Sequence, residues 1–240
     1  MRVAACQVPD VRDDVPRALA VIQAKARQAE AAGADVVLFP ECFLQGYFTD
    51  VANVQRLAID MAGEAFAPVR ALSEQSSLLF IVGMIERAEE GCYNTAAVLQ
   101  GGELLGRYRK SALLESERRS FRRGTEFPVF EVAGRRLGIN ICYDLCFPEP
   151  SQRLAAQGVQ VLLCPCNNML SQANAERWKA QHNTIRALRC RESGLWLVSS
   201  DVTGARDGRI SYGPTALIDP DGTVLEQVPL SAEGLLIVDI

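Results

Sequence analysis

The sequence predicts an α/β fold in which helices cover mixed β-sheets. Apolar strand patterns alternate with helix patterns over roughly the first third of the chain, and hairpin patterns with Gly-rich turns such as Gln100-Gly101-Gly102 follow. Hairpins are antiparallel, so they argue against a purely parallel, doubly wound sheet. The 240 residues show no linker and no break in composition, which predicts one domain spanning residues 1–240.

The first helix carries the clearest signals in the N-terminal half. Leu19 and Ile22 recur at helical spacing, Asp14 is a good N-cap residue and Gly33 fits the helix end. The elements predicted there are a strand over 3–8, a helix over 14–32, a strand over 35–39, a helix over 64–75, a strand over 78–85 and a hairpin over 96–99 and 104–109.

Turn residues delimit the elements of the C-terminal half. Gly134 separates one pair of short apolar runs, and Pro220-Asp221-Gly222 separates another. The predicted elements are a hairpin over 129–132 and 137–141, a helix over 149–157, a strand over 159–164, a long helix over 172–192, a strand over 195–200, a hairpin over 216–219 and 224–228 and a strand over 234–240.

Composition excludes several classes of function. The chain is 48% hydrophobic with a net charge of −4, which favours a packed core and argues against binding to a nucleic-acid backbone. No apolar run is long enough to span a bilayer, and the N-terminus enters a strand pattern without the features of a signal peptide. We therefore expect a cytoplasmic protein with no membrane and no nucleic-acid partner.

The chain has eight cysteines and a single histidine. Without secretion a disulfide framework is not expected, and the absence of any CxxC pair argues against zinc. Most of these thiols therefore read as small buried hydrophobes, and no metal or cofactor is expected. Cys164-Pro165-Cys166 is compatible with a redox role, but its apolar surroundings favour a buried strand end.

One cysteine stands apart. The strand pattern over 137–141 runs directly into Cys142, and Pro148 marks a helix start shortly after. A thiol on such a strand-to-helix turn can point into a cleft, and a helix start favours a thiolate. The alternative is another buried thiol at a strand end.

Two further reactive side chains follow strand patterns. Glu41 comes after the run Val36–Pro40 among apolar and aromatic residues, so burial should raise its pKa toward the range of a general base. Lys110 ends a strand and could stabilise an oxyanion or favour a nearby thiolate, although an exposed edge lysine would look the same. The sequence around Glu117, seven residues further on, is by itself typical of a charged loop.

His182 shares a helical stripe with Trp178 and Ile185, which favours a core or interface histidine over a catalytic one. A Cys-His or Ser-His pair is then unavailable, so the base would have to be a carboxylate. The sequence contains no Gly-x-Ser-x-Gly elbow, Walker loop or dinucleotide fingerprint.

At these positions the chain resembles the nitrilase superfamily of carbon–nitrogen hydrolases. The similarity runs through nearly the whole chain in the family's order. The segments that carry it are Phe39-Pro-Glu-Cys-Phe-Leu-Gln-Gly-Tyr47, Tyr108-Arg-Lys110, Gly138-Ile-Asn-Ile-Cys-Tyr-Asp-Leu-Cys-Phe-Pro-Glu149, Arg186-Ala-Leu-Arg-Cys-Arg-Glu-Ser-Gly194 and Tyr212-Gly-Pro-Thr-Ala-Leu-Ile-Asp-Pro-Asp-Gly222.

The resemblance implies a four-layer α-β-β-α sandwich with two mixed sheets, and a homodimer. It implies a catalytic triad of Glu41, Lys110 and Cys142, with Glu117 as a second glutamate. The expected oxyanion hole consists of Lys110 and the backbone N–H of Tyr143. One departure is Ala112, which stands where many relatives carry a histidine.

The function that follows is metal-free hydrolysis of a small amide or N-carbamoyl compound through a thioester on Cys142. Nitrile hydrolysis and acyl transfer to an amine need the same triad and stay open. A non-catalytic ligand-binding protein on this fold is the alternative from another class. The acyl group is not readable: four arginines could bind a carboxylate, but a solvated charged loop is the simpler interpretation for Arg107, Arg109, Arg118 and Arg122.

Overall fold

The computed structural model describes residues 1–240 and contains six α-helices and fourteen β-strands. The helices are α1 (Val15–Ala31), α2 (Val51–Leu57), α3 (Ala67–Glu74), α4 (Pro148–Ala156), α5 (Gln172–Trp178) and α6 (Gln181–Ser193). The strands are β1 (Arg2–Pro9), β2 (Val36–Leu38), β3 (Leu79–Ala88), β4 (Gly91–Gln100), β5 (Glu103–Arg109), β6 (Phe130–Val132), β7 (Arg135–Ile139), β8 (Val161–Pro165), β9 (Leu170–Ser171), β10 (Trp196–Arg206), β11 (Arg209–Ser211), β12 (Ala216–Ile218), β13 (Val224–Gln227) and β14 (Gly234–Asp239).

Twelve of the fourteen strands form two mixed sheets, and β9 and β11 form a short extension in which β11 pairs with the end of β10. The first has the order β5-β4-β3-β2-β1-β14, in which β1, β2 and β3 are parallel and the outer pairings are antiparallel. The second has the order β6-β7-β8-β10-β12-β13, with β7, β8 and β10 parallel. Strand β10 belongs to both, because its residues 201–203 pair with the end of β1.

Side-chain alternation on the strands places the sheets face to face. Val3 of β1 and Ile139 of β7 share one buried core, so this core lies between the two sheets. The next residue, Ala4, points to the other face and packs with Ile22 of α1 and Val69 of α3. Burial of each such large aliphatic side chain contributes roughly 1.5–3 kcal/mol.

The second sheet is covered in the same way on its outer face. Leu162 of β8 packs with Leu154 of α4 and Cys190 of α6 in a separate cluster. The order of layers is therefore helix, sheet, sheet, helix, which confirms the predicted α-β-β-α sandwich.

The long helix predicted over residues 172–192 is wrong. The chain forms α5 and α6 with a break at Lys179–Ala180. Helix α5 packs on β9 and β11, whereas α6 packs on α4, so the two helices contact different elements of the fold. Nothing in the local sequence signals this break, because no Gly or Pro lies there and tertiary packing overrides propensity.

Two strands are longer than the sequence pattern predicted, and one helix was not predicted. Strand β4 starts at Gly91 rather than at residue 96, β10 continues to Arg206, and α2 was not predicted. None of the helices is both long enough and apolar enough to cross a bilayer.

Candidate active site

The three reactive side chains predicted from the sequence follow the carboxyl ends of three different strands. Glu41 follows β2, Lys110 follows β5 and Cys142 follows β7. Strand β5 runs in the same direction as β2, because two antiparallel pairings separate it from β3, which is parallel to β2. The carboxyl ends of co-directional strands meet at one edge, where α/β proteins bind ligands.

Lys110 lies between two carboxylates. Its Nζ is 2.7 Å from Glu41 Oε1 and 2.8 Å from Glu117 Oε1. All three side chains are at most 1% exposed. An ammonium has three N–H donors, so this arrangement uses two and leaves one.

Two asparagines complete the surroundings of the carboxylates. The Asn94 side-chain amide donates to Glu41 Oε1 at 2.7 Å and to Glu117 Oε1 at 3.3 Å. The backbone N–H of Asn167 donates to Glu41 Oε2 at 3.0 Å. Glu41 Oε1 thus accepts two hydrogen bonds, whereas Oε2 accepts one and keeps a free acceptor position.

The electrostatics of the cluster favour a proton acceptor at Glu41. Burial, reinforced by Glu117, raises the pKa of the Glu41 carboxyl despite the nearby ammonium. Burial alone would lower the pKa of Lys110, but the Glu41 and Glu117 carboxylates together raise it well above its ordinary value. Lys110 is therefore a permanent cation.

Cys142 sits on a strained turn. It follows the end of β7, begins a short 3-10 turn and has a φ of +43°, a region that costs a non-glycine residue about 1–3 kcal/mol. The Asp144 carboxylate holds the turn by accepting the Ile141 backbone N–H at 2.8 Å and the Tyr108 hydroxyl at 2.8 Å. The predicted helix start follows as α4.

The same carboxylate connects the cysteine turn to the lysine segment. Asp144 Oδ1 accepts the backbone N–H groups of Ser111 and Ala112 at 3.1 and 2.7 Å and the Ser111 hydroxyl at 2.8 Å. Ala112 thus contributes through its backbone, which needs no particular side chain. These contacts hold the segment after Lys110 without any contribution from the Ala112 side chain.

The Cys142 side chain is only partly buried, and it lies among polar groups. Its Sγ is 3.9 Å from Asn168 Oδ1. A hydrogen bond with the Cys166 thiol, together with burial, raises the pKa of Cys142. Lys110 acts in the opposite direction, but its two carboxylates neutralise it. The expected effect of Lys110 on the thiol is therefore present in direction, but the Cys166 hydrogen bond and burial outweigh it.

A cavity of about 570 Å³ opens onto the cluster, and its wall includes Glu41, Lys110, Cys142 and Tyr143. Glu117 does not line this cavity, so it reaches the site only through Lys110 and Asn94. The structure therefore brings all the predicted site residues together but separates Glu117 from any bound ligand.

His182 lines the cavity instead of lying in the packed core. Its ring stacks on Trp178, with 5.9 Å between ring centroids, across the break between α5 and α6. Burial, reinforced by Arg186, lowers the pKa of His182 to about 3, so the ring is neutral. The predicted core location is therefore wrong, and the interface location stays a prediction. A ring with so low a pKa is a poor proton acceptor, which leaves the carboxylates as the available bases.

Sequence reasoning missed the groups that orient the reactive side chains. Asn167 and Asn168 follow the carboxyl end of β8, so polar residues at a strand end were an available signal. Asn94 lies inside β4, where a polar residue at an alternate position is ordinary and gives no signal. Asp144 is two residues from Cys142, but only the fold reveals its contacts with the lysine segment.

Comparison with known proteins identifies the family. The family model described as carbon-nitrogen hydrolase matches residues 2–240. A probable nitrilase of Schizosaccharomyces pombe is 28% identical over 84% of this chain and 74% of its own length. An (R)-stereoselective amidase of a Pseudomonas species is 30% identical over 81% of this chain and 69% of its own length.

Solved structures agree with this relationship. The crystal structure of an amidase from Nesterenkonia sp. has a TM-score of 0.88 and 26% identity, covering 100% of this chain and 90% of that one. A cysteine-to-alanine variant of that amidase, solved in complex with butyramide, has the same TM-score and coverage at 25% identity. The chain described here belongs to the nitrilase superfamily and is a carbon–nitrogen hydrolase.

Proposed function

We propose that the protein hydrolyses a small amide through a thioester on Cys142, with Glu41 as the general base. One observation carries the proposal: a buried ammonium fixed between two carboxylates lines the same cavity as a partly exposed thiol. These groups are the parts that nucleophilic amide cleavage needs when no histidine base is available.

The first step is proton transfer from the thiol. The free acceptor position on Glu41 Oε2 takes the Cys142 proton while sulfur bonds to the carbonyl carbon, and the carbonyl π electrons move to oxygen. The raised pKa of the Glu41 carboxyl suits this role, because a base poised nearer neutrality accepts the proton more readily. The hydrogen bonds from Asn94 and Asn167 hold the carboxylate in place.

The oxyanion formed in this step needs donors that are already in position. Lys110 has one N–H left after its two carboxylate contacts, and Lys110 and Tyr143 both line the cavity beside Cys142. The Lys110 ammonium and the Tyr143 backbone N–H together form the oxyanion hole. One such donor typically contributes about 3 kcal/mol to lowering the barrier.

Collapse of the tetrahedral species breaks the C–N bond. Glu41 returns its proton to the nitrogen, so ammonia or an amine leaves and a thioester remains on sulfur. Glu41 then takes a proton from water, whose oxygen attacks the thioester. The second tetrahedral species then collapses: the C–S bond breaks, Glu41 returns the proton to sulfur, and the carboxylic acid leaves, which restores the Cys142 thiol.

Glu117 acts as a positioning residue. It contacts Lys110 and Asn94 but not the cavity, and its Oε2 accepts the Leu114 backbone N–H at 2.7 Å. This anchored carboxylate keeps the ammonium next to Glu41 and balances its charge. Its removal should alter the orientation of the site rather than remove a reacting group.

An amide is favoured over a nitrile by the relatives that are named amidases, one of which was solved with butyramide. N-carbamoyl compounds present the same carbonyl and are included in the proposal. Nitrile hydrolysis and transfer of the acyl group to an amine use the same residues. Adding hydroxylamine to the reaction separates transfer from hydrolysis, because a transferase yields the hydroxamate in place of the acid.

The decisive experiment combines ammonia release with intact-mass detection of the thioester. Butyramide and a panel of small amides, N-carbamoyl compounds and nitriles are mixed with the wild-type protein and with Cys142→Ala. We expect ammonia and an added acyl mass with the wild type and neither with the variant. Turnover that survives in Cys142→Ala would contradict the proposed nucleophile.

Two further expectations stay predictions. The homodimer implied by the family resemblance is tested by light scattering on the purified protein, where a monomer mass would contradict it. Location in the cytoplasm is tested by fractionation of the source cells.

A further inference from the structure

The loop after β8 places two asparagines beside the reactive groups. The backbone N–H of Asn167 donates to Glu41 Oε2 at 3.0 Å. The side chain of Asn168 lies on the cavity wall, with its Oδ1 3.9 Å from Cys142 Sγ. The proton transfers between Glu41 and Cys142 need no contribution from Asn168, although it lies next to both.

A buried carboxylate fixes which end of the Asn168 amide faces the cavity. Asp201 accepts the Asn168 backbone N–H through Oδ1 at 3.0 Å and the Asn168 side-chain NH2 through Oδ2. A carboxylate without a proton can only accept hydrogen bonds. The NH2 end of Asn168 must therefore face Asp201, and the carbonyl end must face Cys142.

The surroundings of Asp201 keep it in the carboxylate form. Burial raises its pKa, and the Arg186 cation acts in the opposite direction. The contacts of this side chain are all with donors, since Oδ1 also accepts the Val202 N–H at 2.9 Å and Oδ2 lies 3.6 Å from the Arg186 guanidinium. A proton on either oxygen would lack an acceptor and would leave the buried Arg186 without its anion, which is costly.

Beside Cys142 these groups supply two donors and two acceptors. The donors are the Lys110 ammonium and the Tyr143 N–H of the proposed oxyanion hole. The acceptors are the free position on Glu41 Oε2 and the Asn168 Oδ1 atom. A primary amide is complementary to this set, because its carbonyl accepts and its –NH2 group donates twice. An ester or a nitrile has no N–H and would leave Asn168 without a donor.

We infer that Asn168 Oδ1 accepts one N–H of the substrate's –NH2 group and so selects primary amides, and N-carbamoyl compounds with a free –NH2, over esters and nitriles. The amide nitrogen is bonded to the carbon that sulfur attacks. An acceptor 3.9 Å from sulfur is therefore within hydrogen-bond reach of that nitrogen. The S–H of Cys142 is a weaker donor than the amide N–H and gives way to it.

The same contact orients the leaving group. In the tetrahedral species the nitrogen has two hydrogens and a lone pair, and the hydrogen bond to Asn168 restricts its rotation. The lone pair is then free to take the proton that Glu41 received from Cys142, after which the C–N bond breaks and ammonia leaves. Asp201 and Arg186 act as positioning residues for Asn168. This inference rests on the proposed function, because Cys142 as the nucleophile fixes where the nitrogen lies.

The test compares butyramide with methyl butyrate, which has the same acyl group but no N–H. The measured quantity is the kcat/KM for the amide divided by that for the ester. Asn168→Leu keeps the size of the side chain and removes the acceptor, so this ratio should fall at least about fivefold, the scale of one hydrogen bond. Asp201→Asn should lower the ratio as well, because a neutral amide no longer dictates which end of Asn168 faces Cys142.

The same substitution at a second buried asparagine is the matched control. Asn140 is 0% exposed, accepts the Ser151 hydroxyl at 2.9 Å and lies outside the cavity. We expect Asn140→Leu to lose stability and to keep the amide-to-ester ratio. A purely structural role for Asn168 would reduce turnover of both substrates equally, which overturns the inference. Asn168→Ala replaces the leucine variant if that variant does not fold.

The outcomes separate this inference from the proposed function. Butyramide turnover with an unchanged ratio in the Asn168 variant overturns the contact with –NH2 and leaves the amidase. An unchanged ratio in Asp201→Asn overturns the positioning role of Asp201.

A wild type that does not turn over amides contradicts the proposed function, and calorimetric titration then tests the contact by itself. The titration also decides if the ester is not turned over. Cys142→Ala must bind butyramide at least about fivefold more tightly than the Cys142→Ala, Asn168→Ala double variant, or the inference is wrong.

Discussion

Cys42 and Cys142 share a backbone geometry but occupy different environments. Each follows the end of a parallel strand and has a left-handed backbone, with φ of +50° and +43°. Burial raises the pKa of Cys42, and the hydrogen bond with Cys166 together with burial raises that of Cys142. Cys42 is completely buried, whereas Cys142 opens onto the cavity. Access to the cavity, rather than the sign of φ, distinguishes the two.

The two turns are also held differently. Asp144 supports the Cys142 turn with carboxylate oxygens, and the Cys42 turn depends on a close approach by Gly83 of β3. A Cβ at Gly83 would lie 2.0 Å from the Pro40 carbonyl oxygen and 2.6 Å from the Cys42 nitrogen. One turn is thus fixed by polar contacts and the other by the absence of a side chain.

Removing the two thiols in turn gives the largest expected difference. Cys142→Ala should lower kcat/KM by about 10⁴-fold or more, because the reacting atom is lost, and should leave the far-UV circular dichroism unchanged. Cys42→Ala should act on folding, lowering the unfolding free energy by about 0.5–3 kcal/mol. Amide turnover and urea denaturation measure both. Equal activity loss in the two variants would end the distinction.

The next largest effect concerns Glu41, which precedes Cys42 in the chain and is the proposed base for Cys142. Glu41→Gln should lower kcat by about 10²–10⁴-fold, because glutamine cannot accept the thiol proton. Glu86→Gln is the matched control: Glu86 is an equally buried carboxylate that binds Arg109 and lies outside the cavity. We expect that variant to lose stability and retain kcat when assayed below its melting temperature.

Adding a methyl group at Gly83 tests how tightly β3 packs against the Cys42 turn. Gly83→Ala should lower the unfolding free energy by about 3 kcal/mol, since the clash is with backbone atoms that cannot move aside. For a protein of this size that corresponds to a melting temperature lower by roughly 6–12 °C. Calorimetry measures it, and an unchanged melting temperature would show that the close approach is not maintained in solution.

A single polar substitution at Asp144 tests the Cys142 turn. Asp144→Asn places amide hydrogens against N–H donors, which leaves buried groups unpaired and should cost about 1–3 kcal/mol. Activity should fall as well, because Ser111 and Ile141 lose a common anchor. Chemical denaturation and butyramide turnover, run in parallel, should both respond.

The pH profile gives the smallest and most selective effect. Glu41 must be unprotonated to accept the thiol proton, and its pKa is raised. Activity should therefore fall as the pH drops, with a midpoint above the ordinary glutamate value of about 4.3. Because the pKa of Lys110 is raised too, the ammonium should not titrate before alkaline pH. Initial rates of ammonia release across the pH range test this, and a midpoint at or below 4.3 would contradict it.

The sequence predicts much of this arrangement because the ends of the strands can be located from the apolar pattern. Glu41, Lys110 and Cys142 each follow an apolar strand pattern, and the hairpin patterns predict mixed sheets. The break at Lys179 and the role of Asn94 were not predicted, because both depend on contacts between distant segments.

The placement of Lys110 between two carboxylates has a consequence for the energetics of turnover. With Glu41 as base, the negative charge leaves a carboxylate and reappears on the substrate oxygen, while the ammonium between them stays where it is. The total charge of the pocket is the same before and after, so little solvent must reorganise around it. Ionic strength should then leave the rate of bond cleavage almost untouched.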